Sequence, residues 1–183
     1  MKKYPKINSF VKTALLLLTI TLLSACDKDE PTCQGIDCLP PATQTGAGTF
    51  GCLVNGEPYV DNSGRFNCFY QLVNGKYYFN ISPNFKNQLF RELDLGCNDV
   101  IFSNMSSFDL AISNDGGGSA TFSVANEMRD ITTNLNYNGI CQITYFSSTT
   151  KIISGTFEFK IYDNVKQILY VITNGRFDSK FTQ

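Results

Sequence analysis

From residue 49 onward apolar and polar residues alternate with a period of two, the signature of half-buried strands. Phe50, Cys52 and Val54 alternate with Thr49, Gly51 and Leu53, and Asn55-Gly56 offers a turn into residues 57–60. The cluster Asp61-Asn62-Ser63-Gly64 ends that segment. Phe66, Cys68, Tyr70 and Leu72 make one face of the next strand, Asn74-Gly75 is a type I′ hairpin signal, and Tyr77, Phe79 and Ile81 continue on the return. In 88–95, Leu89, Leu93 and Leu95 lie opposite Glu92 and Asp94, and Gly96-Cys97-Asn98-Asp99 reads as a break.

Residues 100–108 suit a short strand or a helical turn equally, and 113–119 (SNDGGGS) read as a turn too rich in glycine for a regular element. Residues 121–125 follow as a strand and 126–136 as a loop. The clearest strands are 140–146, 152–161 and 168–181. In the middle one Phe157, Phe159 and Ile161 face one way while Thr156, Glu158 and Lys160 face the other, as in an antiparallel sheet with one wet face. Asp163-Asn164 supplies the next turn, and Asn174-Gly175 marks a bulge because the alternation resumes after it. The expectation is an all-β domain over 49–183, an antiparallel sandwich or barrel of about eight to ten strands.

The first 48 residues follow another pattern. Lys2, Lys3, Lys6 and Lys12 precede an apolar run over 13–23. At about 1.5 Å per residue such a run is too short for a hydrocarbon core of roughly 30 Å, so 1–25 reads as a signal peptide. Leu23-Ser24-Ala25-Cys26 resembles the lipobox of bacterial lipoproteins, in which the cysteine is acylated and becomes the first mature residue. Asp27 directly after it resembles an inner-membrane retention signal of enteric bacteria. The whole run Asp27-Lys28-Asp29-Glu30 resembles the acidic export tag of Bacteroidota lipoproteins, which favours the outer membrane and cell surface over a periplasm-facing location. Residues 26–48, rich in Pro, Gly and Thr, then read as a lipidated cysteine and flexible linker.

This address changes the meaning of charge and cysteine. The first 25 residues hold four of the fifteen basic side chains and none of the sixteen acidic ones, so the mature chain carries about −5. That argues against nucleic acid as a partner. The bilayer is the expected partner through acylated Cys26, with a glycan or protein ligand left open. Without Cys26, the remaining Cys33, Cys38, Cys52, Cys68, Cys97 and Cys141 are even in number in an exported chain, and disulfides are expected. Six cysteines allow fifteen pairings, with Cys33–Cys38 the natural short loop.

Candidate chemistry is sparse. The chain has no histidine, which removes His-assisted catalysis, and no cofactor motif or metal-ligand set stands out. Cys33 and Cys38 carry only a weak metal signal. Glu92 and Asp94, roughly 7 Å apart on one strand face, could act as an acidic pair in glycoside hydrolysis, although a solvated face explains them more simply. Gly116-Gly117-Gly118 lacks the Lys-Ser/Thr of a phosphate loop. Asp61, Asn62 and Ser63, or Asn114 and Asp115, offer oxygens to calcium but match turn chemistry better. Tyr77, Tyr78, Tyr137 and Tyr145 could stack on sugars, yet Tyr77 and Tyr78 must point to opposite faces.

Residues 48–56 (GTFGCLVNG), 153–159 (ISGTFEF) and 173–178 (TNGRFD) resemble a family of Bacteroidota lipoproteins catalogued as a domain of unknown function. The resemblance implies a surface-associated β domain and brings no catalytic residues with it. The expected role is a non-enzymatic binding, adhesion or envelope module, with a glycan-active hydrolase and a lipocalin-like carrier of an apolar ligand as alternatives.

Replacing Cys26 removes the acylated sulfur and with it the bilayer partner. Cys26→Ser is expected to move the protein from the membrane pellet to the soluble fraction and to abolish incorporation of labelled palmitate. Retention of both would place the anchor elsewhere.

Overall fold

A computed structural model describes residues 33–61, 66–83, 90–112, 114–124, 127 and 129–183. After a 3-10 turn at Gly35–Cys38, eleven strands follow. They are β1 (Thr49–Val54), β2 (Glu57–Asp61), β3 (Asn67–Val73), β4 (Lys76–Ser82), β5 (Phe90–Asn98) and β6 (Ser107–Leu110). Then come β7 (Gly118–Val124), β8 (Asp130–Thr132), β9 (Gly139–Ser147), β10 (Ile152–Asp163) and β11 (Ile168–Lys180). They form one curled, mixed sheet, a half-barrel, in the order β2-β1-β11-β10-β9-β6-β7-β5-β4-β3, with β8 on β7. The β3 edge comes round to the residues just past β11. There Phe69 and Thr182 form a parallel bridge, with Tyr70 N donating to Thr182 O at 2.9 Å and Thr182 N to Cys68 O at 3.0 Å.

Local chemistry accounts for the hairpins. Asn55 and Gly56 (φ 51° and 91°) and Asn74 and Gly75 (φ 51° and 83°) take the left-handed pair of angles that a two-residue type I′ turn requires. The bulge at Asn174-Gly175 is also present: opposite it the β10–β11 register slips between Phe157 and Phe159. A Cβ on Gly175 would lie 2.4 Å from the Phe157 ring, so this close approach excludes a side chain.

The inward residues build a core of rings. Tyr70 stacks on Tyr77 and Phe102 at 4.8 Å each and meets Phe146 and Phe181 edge-on. Phe79 continues the contact to Phe108 and Phe177, Phe177 passes it to Phe157, and Phe157 to Phe50. Each buried ring contributes roughly 1.5–3 kcal/mol by leaving water, and each good ring pair about 0.5–1.5 kcal/mol more. Phe102 comes from the loop after β5, and the Tyr70 hydroxyl holds that loop by accepting from Phe102 N and donating to Val100 O.

Several elements differ from expectation. Among the described residues ten strands follow one another through the sheet with β8 beside them, as expected, but β6 runs parallel to β7 through Leu110↔Gly118, so the sheet is not purely antiparallel. Gly96, Cys97 and Asn98 continue β5 instead of breaking it, because Gly96 is paired on both sides, to Asn80 and Ser119. Gly118 and Ser119 likewise belong to β7. Within the expected loop, β8 forms because Ile131, 9% exposed, packs inward. Leu72 is 58% exposed, since β3 outruns the core before its turn.

The largest difference concerns the expected flexible linker. The chain divides into Met1–Cys33 and Gln34–Gln183, so most of the described linker belongs to the compact unit. Leu39 and Pro40 are buried, and residues 43–47 are tied to Asp178 of β11, itself 1% exposed. The Asp178 carboxylate accepts from Thr43 Oγ1 (2.5 Å), Thr45 N (2.9 Å), Gly46 N (2.7 Å), Ala47 N (3.2 Å) and Ser154 Oγ (2.8 Å). Gly48 N adds a bond to Asp178 O. Residues 39–48 are thus a strap laid on the sheet. A second anchor sits at the β10–β11 turn. There fully buried Asp163 takes a two-pronged bond from Arg129 at 2.8 Å and caps Val165 N and Lys166 N.

Burial alone would push the Asp178 carboxyl up, but the donors around it outweigh that and hold it down at about 2. A depressed carboxylate stabilises the fold above its ordinary value of 3.8 and loses that contribution as pH falls toward about 2. Asp178→Ala leaves several donors without an acceptor and is expected to cost at least about 3 kcal/mol in urea unfolding. Asp178→Asn is expected to flatten the fall in stability between about pH 4 and 2, read as Tm against pH. An unchanged slope would mean that the strap does not depend on this charge.

Candidate functional site

The site is an open cleft of ≈ 350 Å³ on the outer, wet face of β3, β4, β5 and β7. Alternation puts Tyr78 and Asn80 outward on β4 while Phe79 and Ile81 enter the core. The same rule turns Asp94 outward on β5 between buried Leu93 and Leu95. Gly96 lies next on that outward row and leaves a saddle whose floor is backbone, where a Cβ would stand 3.1 Å from Asn80 Oδ1 and Phe79 O. Phe69 and Tyr78 supply the aromatic lining, and Ser119 and Thr121 the hydroxyls.

Asp94 is the charged group of this cleft. Its Oδ1 is buried and has no hydrogen-bond partner among the described residues. Burial raises its pKa most, Ser82 hydrogen-bonds the carboxylate and lowers it, and Glu92 and Asp130 raise it further. A half-buried carboxylate with an unused acceptor oxygen, next to two rings and two hydroxyls, suits a ligand with both O–H or N–H donors and an apolar face.

The expected site residues divide as follows. Glu92 is exposed on the same strand but does not line the cleft, so Asp94 enters it without its expected partner. Tyr78 lines the cleft, whereas Tyr77 packs against the core on Tyr70. Tyr137 stacks on Tyr162 at 5.1 Å, away from Tyr78, and half-buried Tyr145 sits on β9 opposite Ser154. Asp115 pairs with Lys76, and Asn98 and Asp115 form a β-bridge, so the glycine-rich turn has a structural role. Asp61 is buried at the end of β2. Asn62, Ser63 and Cys26, the expected lipidation site, lie outside the described residues. Among the described residues no group of three or more His, Cys, Asp or Glu could hold a metal, and no helix is long and apolar enough to cross a membrane.

The cysteines require a correction. Cys33 and Cys38 are disulfide-bonded, but Cys52, Cys68, Cys97 and Cys141 are free thiols in the core. They occupy inward positions of β1, β3, β5 and β9, where they pack as small apolar side chains. Burial pushes each thiol up, Cys68 to about 12 with Ser179 pulling slightly the other way, so the reactive thiolate does not form. The even number of cysteines was a misleading guide here.

The sequence pattern passed over Phe69, Asn80, Ser119 and Thr121, which alternation alone puts on a wet face without marking as a site. The one available signal was Gly96 inside a strand run, a mark of close backbone approach. Comparison with protein-family models, with curated proteins and with solved structures finds no match.

Burial makes the four thiols unreactive only while the fold holds. Alkylation of the denatured, unreduced protein is expected to label Cys52, Cys68, Cys97 and Cys141 and to spare Cys33 and Cys38, whereas the native protein leaves all six unlabelled. Labelling of the four in the native state would contradict their burial.

Proposed function

We propose that this chain is a lipid-anchored, non-enzymatic binding module of the bacterial cell surface. Its ligand is a polyhydroxylated molecule, a glycan unit, held in the cleft of β3, β4, β5 and β7. The address follows from Leu23-Ser24-Ala25-Cys26 and the acidic run after it, and from the resemblance to Bacteroidota lipoproteins. The observation that carries the ligand reading is Asp94 Oδ1, a buried acceptor without a partner among the described residues, in a cleft lined by Phe69 and Tyr78.

A sugar ring matches that lining: its hydroxyls donate to Asp94, Ser119, Thr121 and Asn80, and its C–H face lies on an aromatic ring. The negative charges of Asp94, Glu92 and Asp130 favour a neutral or amine-bearing sugar over an acidic one. Binding is favoured over hydrolysis because an acidic pair must face one bond from two sides, and Glu92 does not line the cleft. It is favoured over apolar carriage because the ring core fills the sheet's concave side, where a carrier would hold its cargo.

The test is a glycan array probed with the mature chain carrying Cys26→Ser. Asp94→Asn and Tyr78→Ala are each expected to weaken binding to the retained glycans by about 10–100-fold, the scale of one charged hydrogen bond or one lost ring contact. Retention by both variants at the parent level would refute the site. Release of reducing ends that Glu92→Gln abolishes would move the reading to hydrolysis.

A further inference from the structure

We infer that a second outer cleft, between the strap and β9, β10 and β11, binds an acidic sugar unit. The sugar carboxylate sits on Arg176 and its hydroxyls on Glu158 and Gln142. This cleft has a volume of ≈ 390 Å³ and is lined by Ala42 of the strap, Ile140 and Gln142 of β9, Thr156 and Glu158 of β10, and Arg176 of β11. The ladder sets the arrangement: Gln142, Thr156 and Arg176 lie in register across three strands, and Glu158 faces Ile140 one row along. Diagonal neighbours on a sheet face are about 7–8 Å apart, so Arg176 and Glu158 flank a space the width of a sugar ring.

Arg176 is held ready for an anion. Its Nε donates to Asn174 O at 3.3 Å and its Nη1 to Pro40 O of the strap at 3.4 Å. Two of five guanidinium N–H groups are thereby used, and the others are free to meet a carboxylate. Among the described residues neither Arg176 nor Glu158 enters an ion pair. Opposite charges that share a cleft without pairing select against simple ions: Glu158 repels a plain anion and Arg176 a plain cation. A molecule with a carboxylate at one end and hydroxyl donors a few ångströms away satisfies both. Gln142, Thr156 and Asn174 are further neutral polar groups of the lining, which suit a polyol more than a compact zwitterion.

The experiment titrates the mature chain carrying Cys26→Ser with tetragalacturonate and with its fully methyl-esterified form, by calorimetry. The acid is expected to bind at least about tenfold more tightly than the ester. Arg176→Gln is expected to bring the acid down to the level of the ester, and Arg176→Lys to fall between them, because an ammonium keeps the charge without the fork. Lys151→Gln, which removes a cation outside the cleft, is expected to leave both affinities within about twofold of the parent. Should Arg176→Gln fail to fold, amide shifts of the parent on adding the acid decide the matter. They are expected at Gln142, Thr156 and Gly175. Equal affinity for acid and ester, binding of neither at millimolar concentration, or shifts confined to other strands would overturn the inference.

Discussion

The Asp178 carboxylate is the constraint on which the arrangement of the outer surface depends. It sits at a buried position near the end of β11, and its donors are Ser154 of β10 and a run of groups between Thr43 and Ala47. A buried carboxylate without partners would be expelled or protonated, so the strap is needed by the charge as much as the charge by the strap. The consequence reaches the neighbouring surface. Once the strap is fixed, Pro40 O is in place to hold Arg176, and Ala42 becomes one wall of the cleft beside it.

The ring core sets the other half of the logic. Inward Phe and Tyr side chains fill the concave side of the sheet, so the candidate clefts lie on the outer face. On an outer face, depth must come from missing side chains. Gly96 supplies it in the cleft of Asp94, where a Cβ would crowd Asn80 Oδ1 and Phe79 O. At the bulge the pairing passes from Phe157↔Gly175 to Phe159↔Ile172, so β11 carries one residue more than β10 over this stretch.

Much of the fold was legible because it is written in local signals. Asn55-Gly56 and Asn74-Gly75 can hardly be anything other than hairpin turns, and Phe157, Phe159 and Ile161 declare their face by alternation alone. What was not legible depends on partners distant in sequence. Gly96 and Gly118 look like breakers until ladder bonds on both sides hold them extended. Thr43–Ala47 has no apolar periodicity because one residue more than 130 positions away fixes it by hydrogen bonds. The free thiols could not be foreseen from parity, which counts cysteines without placing them. In the candidate site, Asp94 and Tyr78 were recognisable as outward polar and aromatic residues. Nothing local announced that Gly96 would bring them to one saddle, nor that Arg176 and Glu158 would share another.

The strap also bears on how the proposed anchor works. With residues 39–48 laid on the sheet, they cannot serve as spacer between an acylated Cys26 and the domain. The length available shrinks to the residues ahead of the Cys33–Cys38 loop. At no more than about 3.6 Å per residue, the seven steps from Cys26 to Cys33 span at most roughly 25 Å, against about 80 Å if the chain were free to Thr49. Under the proposed anchoring, a domain so tethered would stay within one protein diameter of the bilayer. Its proposed clefts would then meet ligands that already lie at the membrane surface, for which modest affinities would suffice because the tether would keep the local concentration high. Shallow, open clefts with a few polar groups are the kind of site such a position can use, and a deep pocket built for a dilute soluble ligand would gain little there.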